Sequence, residues 1–163
     1  MKMLLLLRHG KSPHDGSSDW ERPLAPRARK QDLPHVAEFV RKLGLLPQWI
    51  LSSDARRARE TAETFAADLD PAPEVVLTRA LYLVDAANIA GEIRSLPESV
   101  GTAVVVGHNA GLEDFAEWLG GRLPDSLKPG GLCVFRLDLE TWLDLHPARA
   151  TRTAFVNPKE LRD

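Results

Sequence analysis

The sequence is poor in cysteine: Cys133 is the one thiol in 163 residues. A single thiol excludes an internal disulfide and any thiolate-rich metal site. It stands in the apolar run Leu132-Cys133-Val134-Phe135, which predicts a buried, inert side chain rather than a nucleophile. Charge of one sign is also lacking. Lys plus Arg number 21 and Asp plus Glu 23, for a formal net charge of −2. No overall field therefore draws the chain to nucleic acid or an anionic membrane, which leaves only a local basic pocket as a route to anions. Long hydrophobic runs are missing too. The N-terminal apolar stretch covers only residues 3–7, ends at Arg8-His9, and is followed by no small-residue cleavage site. That pattern fits neither a secretory leader nor a membrane span. The expectation is a cytoplasmic protein whose first strand begins almost at once. Internal repeats and low-complexity tracts are absent as well.

What remains is an ordinary globular composition, 44% hydrophobic and 27% charged, with enough chain to build one core over residues 1–163. Strand-like and helix-like segments alternate, which predicts an α/β fold with a mostly parallel sheet. Residues 3–7, 49–51, 75–77 and 102–106 read as strands, the last β-branched and therefore central. A helix is expected over 27–43, with Leu33, Val36, Ala37, Val40 and Leu43 inward. Pro34 inside it interrupts or delays the start. A second helix covers 54–69, with Ala58, Thr61, Ala62, Phe65 and Leu69 inward. Asp85 caps a third through residue 96, and Asn109 caps a fourth through residue 119. Residues 132–139 and 142–145 read as a hairpin, with one more strand over 151–156. Residues 8–26, rich in Gly, Pro, Ser and Asp, form a long loop of the kind that is usually functional or mobile.

The chemistry gathers at strand ends. The first strand runs into Arg8-His9-Gly10 and the central one into Gly107-His108-Asn109. In open α/β sheets the ligand crevice lies beyond the carboxyl ends of the strands. A third segment, Ser52-Ser53-Asp54, follows a strand and opens a helix bearing Arg56, Arg57 and Arg59. Helical spacing lets only one of these face inward, and Arg57 is the one expected. Two histidines and several arginines at one edge suit a phosphoryl group. The guanidinium fork matches phosphate oxygens, and a histidine between such forks is able to attack phosphorus. Zinc is the competing use of paired histidines, but a third ligand and any zinc spacing are missing. His14, His35 and His146 read as structural or solvated.

These segments resemble the histidine phosphatase superfamily, which includes the phosphoglycerate mutases. Leu7-Arg8-His9-Gly10 looks like its signature, Ser53 through Thr61 like its second motif, and Gly107-His108-Asn109 like its third, in the family's order. Arg22-Pro23-Leu24 and Pro158-Lys159-Glu160-Leu161 extend the likeness to the short bacterial phosphohistidine phosphatases of the SixA type. The resemblance implies a three-layer α/β/α sandwich of phosphoglycerate mutase type. It makes His9 the nucleophile, with Arg8, Arg57 and His108 completing the phosphate pocket. It implies no metal and no organic cofactor. Gly10, Asn109 and Arg22 become candidate substrate contacts, although Arg22 fits equally well as a partner for Asp19.

The sequence departs from the larger members in one respect that bears on substrate. Their acidic residue after the third strand is a glutamate, whereas residues 78–85 here contain none, and Glu92 falls inside the next predicted helix. Asp85 and Asp19 are the candidate acids, with Asp15 and Glu21 also within the first loop. Asp85 has the competing role of a helix cap. No insertion large enough to form a lid is evident, so an open site is expected. A missing acid matters less when imidazole leaves than when an alkoxide leaves. Three readings stand. The first is a phosphatase of phosphohistidine on a protein, such as a histidine phosphotransfer domain. The second is a phosphomonoesterase of small phosphate esters. The third is a non-catalytic phospho-binding module. None involves nucleic acid or membrane.

Overall fold

Four consecutive leucines set the layering. Side chains alternate across a strand, so Leu4 and Leu6 face one side and Leu5 and Leu7 the other. All four are fully buried, and both faces must therefore be covered. The computed structural model describes residues 1–162. β1 (Lys2–Arg8), β2 (Trp49–Ser53), β3 (Glu74–Thr78), β4 (Thr102–Gly107), β5 (Leu132–Leu137) and β6 (Ala150–Val156) form one sheet in the order β3-β2-β4-β1-β5-β6. α1 (Leu33–Lys42) and α2 (Arg56–Ala67) pack on the face of Leu5 and Leu7. α3 (Ala86–Arg94) and α4 (Gly111–Gly120) pack on the face of Leu4 and Leu6. This is the expected three-layer α/β/α sandwich. β3, β2, β4 and β1 run parallel, β5 and β6 are antiparallel additions, and β4 lies centrally between β2 and β1. Among the described residues, no helix is long and apolar enough to cross a membrane.

The delayed helix start holds, and two other expectations need correction. The chain turns helically from Pro26, but Ala28–Asp32 adopt a wider π-type turn and α1 begins only at Leu33. Pro34 lacks an N–H and its ring crowds the preceding turn, and the wider turn directly before it accommodates both. Leu43, expected inward, is 45% exposed. α1 ends at Lys42, and Gly44 at φ +75° turns the chain away. The hairpin of 132–139 with 142–145 does not form. β5 pairs instead with β1 and β6, while Trp142–Asp144 make a 3₁₀ turn. Trp142 is fully buried there and donates its indole N–H to the Val100 carbonyl at 3.0 Å.

Candidate active site

Sheet register brings the site together. In the parallel pairing of β1 with β4, Leu7 lies opposite Val106 and Arg8 opposite Gly107. The next residues, His9 and His108, therefore leave the sheet side by side. The His9 amide donates to the Gly107 carbonyl at 3.0 Å, and the two ring centroids are 5.2 Å apart. In β2, Ser52 lies opposite Val106, so Ser53 reaches the same level, with Thr78 of β3 beside it. Four parallel strands thus end at one edge, where α/β sheets hold ligands.

α2 supplies the arginine. Arg57 falls on the buried stripe with Ala58, Thr61, Ala62 and Phe65. Its side chain is 4% exposed, whereas Arg56 and Arg59 are 48% and 38% exposed, as the helical spacing predicts. Thr61 links this helix to the segment that follows β1. Its hydroxyl accepts from the Gly10 amide at 2.9 Å and donates to the Arg57 carbonyl at 2.7 Å. A Cβ on Gly10 would lie 2.8 Å from Leu24 Cδ1 and 2.9 Å from the Ala28 methyl, so only glycine fits at this approach.

The hydrogen bonds assign the tautomers. His9 Nδ1 lies 2.7 Å from the Gly10 carbonyl oxygen. A carbonyl only accepts, so Nδ1 carries the proton and Nε2 holds a lone pair. Burial is the main force holding this imidazole neutral, with the neighbouring His108, Arg57 and Arg8 adding to it. Together they outweigh the Gly10 bond, and the pKa falls to about 3. His108 Nδ1 lies 3.4 Å from Arg57 Nη2, and its Nε2 lies 2.8 Å from Ser53 Oγ. A guanidinium only donates, so Nδ1 accepts and Nε2–H donates to the serine. Burial, then Arg57, pushes His108 down to about 4.

Arg57 is buried and Arg8 half-buried, and neither is fully paired. Arg8 donates through Nη1 to the Leu127 carbonyl at 2.9 Å. Arg57 donates through Nη1 to the Asp19 carbonyl at 2.6 Å and through Nη2 to Asp19 Oδ2 at 3.1 Å. The Nε–H groups of both have no partner among the described residues. Buried donors of this kind are costly unless something accepts from them.

Asp19 joins the site and Asp85 does not. Asp19 accepts from the Tyr82 hydroxyl, from Arg57, and from Arg22 Nη1 at 3.1 Å. Those bonds, the Tyr82 hydroxyl foremost, hold its carboxyl down at about 2, so it is an ionised acceptor. Arg22 accordingly takes the Asp19-pairing option, and also donates to the Ser12 carbonyl at 3.1 Å. Asp85 caps α3, accepting from the Asn88 amide at 3.0 Å and side chain at 2.8 Å. Asp15 bonds to Ser17 and lines an outer depression with Glu21, Trp20 and Asp54. Trp20 donates to Asp54 at 3.0 Å, and Arg79 lies over its ring.

Two further readings change. Asn109 does not cap α4. Ala110 precedes that helix, and Asn109 Nδ2 donates to Glu113 at 2.9 Å and to the Leu127 carbonyl at 3.0 Å. The site is also less open than expected. The first loop folds back so that the Asp19–Glu21 turn sits on Arg57. His9, His108 and Arg57 are only 8%, 4% and 3% exposed. Sequence reasoning missed Tyr82, whose ring meets His108 edge-on at 5.5 Å. Its signal was its position just past the carboxyl end of β3. Cys133 is buried as predicted, and burial pushes its thiol up to about 12. His146 accepts from the Ala148 amide and caps a short turn. Among the described residues, no group of three or more His, Cys, Asp or Glu side chains is placed to hold a metal.

Residues 4–100 match the family model of the histidine phosphatase superfamily, branch 1. The chain belongs to that superfamily. An uncharacterized chloroplastic protein of Arabidopsis thaliana is 37% identical over 133 residues, covering 74% of this chain and 60% of that one. The chain thus spans less than two thirds of that relative's length. Among solved structures, this superfamily member is similar to a SixA phosphohistidine phosphatase candidate from Nakamurella multipartitia, with TM-score 0.83, 22% identity and 96% of each chain covered. A tungstate complex of the protein histidine phosphatase SixA also gives 0.83, at 20% identity over 98% of this chain and 99% of that one. At these identities the structural matches establish the fold, which is of the SixA and phosphoglycerate mutase kind.

Proposed function

We propose that the chain is a phosphatase that carries the phosphoryl group on His9, and that its substrate is phosphohistidine on a protein. One observation carries this reading. A neutral His9 with an uncommitted Nε2 lone pair stands beside Arg8 and Arg57, whose buried Nε–H donors lack acceptors among the described residues. Phosphoryl oxygens would satisfy those donors.

In the first step, His9 Nε2 bonds to phosphorus as the substrate P–N bond breaks. The substrate ring, protonated on its other nitrogen, leaves as neutral imidazole. His9 becomes a phosphorylated imidazolium, and its Nδ1–H points at the Gly10 carbonyl, which stabilises the new positive charge. The Arg8 and Arg57 guanidinium groups neutralise the equatorial oxygens, with neutral His108 packed beside them. Water then attacks phosphorus, the bond to His9 breaks, and dihydrogen phosphate leaves with His9 neutral again. Neither step draws a proton from a carboxyl group, and neither uses a metal or organic cofactor.

That economy favours a P–N substrate. Expelling an alkoxide gains about 10²–10⁴-fold from a general acid. Asp19 is ionised and Asp85 is engaged as a cap. The phosphomonoesterase reading keeps one supporting observation, the Asp19–Glu21 turn that encloses the site. A phosphoserine phosphatase from Entamoeba histolytica shares the fold at TM-score 0.68. The test is a side-by-side turnover assay on phosphohistidine and a panel of phosphate monoesters, with His9→Ala as control. Higher kcat/KM on phosphohistidine, with an acid-labile phosphoryl label on the wild-type chain, is the expected result. Preference for a monoester would overturn the substrate assignment, and turnover retained by His9→Ala within tenfold would overturn the nucleophile.

A further inference from the structure

Lys11, two residues beyond His9, borders a depression of about 140 Å³ that the proposed reaction does not use. It is lined by Lys11, Lys128, Lys159 and Arg162, with Asp32 as the one carboxylate among its lining residues. Three of the chain's six lysines therefore meet at one place. All three are exposed, and none forms an ion pair among the described residues. Asp32 is already bound to Arg162 at 3.0 Å. The patch is locally cationic on a chain whose net charge is −2.

The backbone that presents these lysines is the backbone that fixes the nucleophile. Lys11 is two residues beyond His9. Lys128 opens the turn in which the Gly130 amide donates to the carbonyls of Arg8 and His9, at 3.1 and 3.0 Å. Asn157, which is buried, ties that turn to the Lys159 segment by accepting from the Lys128 amide at 2.9 Å and donating to the Ser126 carbonyl at 3.0 Å. The lysine stems are thus rooted in this hydrogen-bonded backbone, with their side chains exposed. Arg56, Arg59 and Arg79 differ, each being paired with a carboxylate.

We infer that this lysine patch docks acidic side chains flanking the phosphorylated histidine of a protein substrate. The inference rests on the phosphohistidine reading above and adds the chemical character of the partner. Complementary charge at a rim acts on encounter and on KM rather than on the bond-breaking step, and salt screens it. Nucleic acid is the less favoured occupant, because the patch is small and its chain net acidic.

The experiment compares three substrates: free phosphohistidine, a phosphohistidine peptide with Asp and Glu flanks, and the same peptide with Gln flanks. Each is measured on the wild type and on the Lys11→Gln, Lys128→Gln, Lys159→Gln triple variant. The expected result is a preference of about tenfold in kcat/KM for the acidic peptide on the wild type. It should reside in KM, shrink at high salt and vanish in the triple variant, with free phosphohistidine turned over equally by both proteins. Turnover of both peptides without preference by the wild type would overturn the inference and leave the phosphohistidine reading intact. A preference that survives in the triple variant would also overturn it. Turnover of monoesters alone would instead overturn the underlying reading, and the inference with it. Inhibition by a single-stranded oligonucleotide, relieved in the triple variant without any peptide preference, would assign the patch to nucleic acid.

Discussion

His9 Nδ1 lies 2.7 Å from the carbonyl oxygen of its own neighbour, Gly10. This contact fixes which nitrogen faces the pocket, and burial keeps the ring uncharged, with a pKa near 3. Neither His9 nor His108 should titrate between pH 5 and 8 in imidazole ¹⁵N spectra. A midpoint near the ordinary histidine value in either ring would overturn the assignment.

The same shift makes a stability prediction. Histidine in the unfolded chain titrates near 6.5 and folded His9 near 3. Between those values the unfolded state binds more protons, so this contribution is complete above pH 6.5 and is lost as pH falls towards 3. Acidification from pH 7 to 4 should lower the melting temperature of the wild type more than that of His9→Asn. Parallel curves for the two proteins would contradict it.

Arg57 is buried and bonded to both Asp19 and His108. Arg57→Ala should lower kcat/KM by about 10²–10³-fold, as loss of a preorganised donor does. It should also weaken vanadate binding. Arg57→Lys should recover little, since an ammonium lacks the planar fork. Unchanged vanadate affinity in Arg57→Ala would place this arginine outside the pocket.

Asp19 sets a negative charge on Arg57, which the proposed reaction uses to bind the phosphoryl group. Asp19→Asn should tighten vanadate binding by up to about fivefold, the range of a half-exposed ion pair. A loss of turnover confined to monoesters would instead reveal Asp19 as their proton donor.

Thr61 satisfies the buried Gly10 amide through its hydroxyl. Thr61→Val keeps the shape and removes the acceptor. It should cost about 1–3 kcal/mol of stability, read as a lower urea midpoint with an unchanged slope. Dialysis against EDTA should leave turnover unchanged, because the proposed steps use no metal. A loss restored by a divalent ion would overturn that scheme.

Much of this was legible in the residues themselves. Continuous apolar runs marked strands buried on both faces, and Arg8-His9-Gly10 and Gly107-His108-Asn109 stood at their ends. The 3.6-residue period of α2 singled out Arg57 from its neighbours. These are local signals, carried by the residues within one turn or one strand. Non-local pairings were not legible. An alternating apolar pattern fits several partners equally well, so residues 142–145 look like a partner for β5, whereas its neighbours are β1 and β6.

The sequence by itself determined the strand and helix scaffold, the strand-end histidines and the inward arginine, because each depends on periodicity over a short stretch. Tertiary structure decided the rest. It chose the register that sets His9 beside His108, folded the first loop back so that Asp19 reaches Arg57 and Tyr82, and gathered Lys11, Lys128 and Lys159 from distant segments. Those outcomes depend on which surfaces bury one another, and that competition is settled only when the whole chain packs.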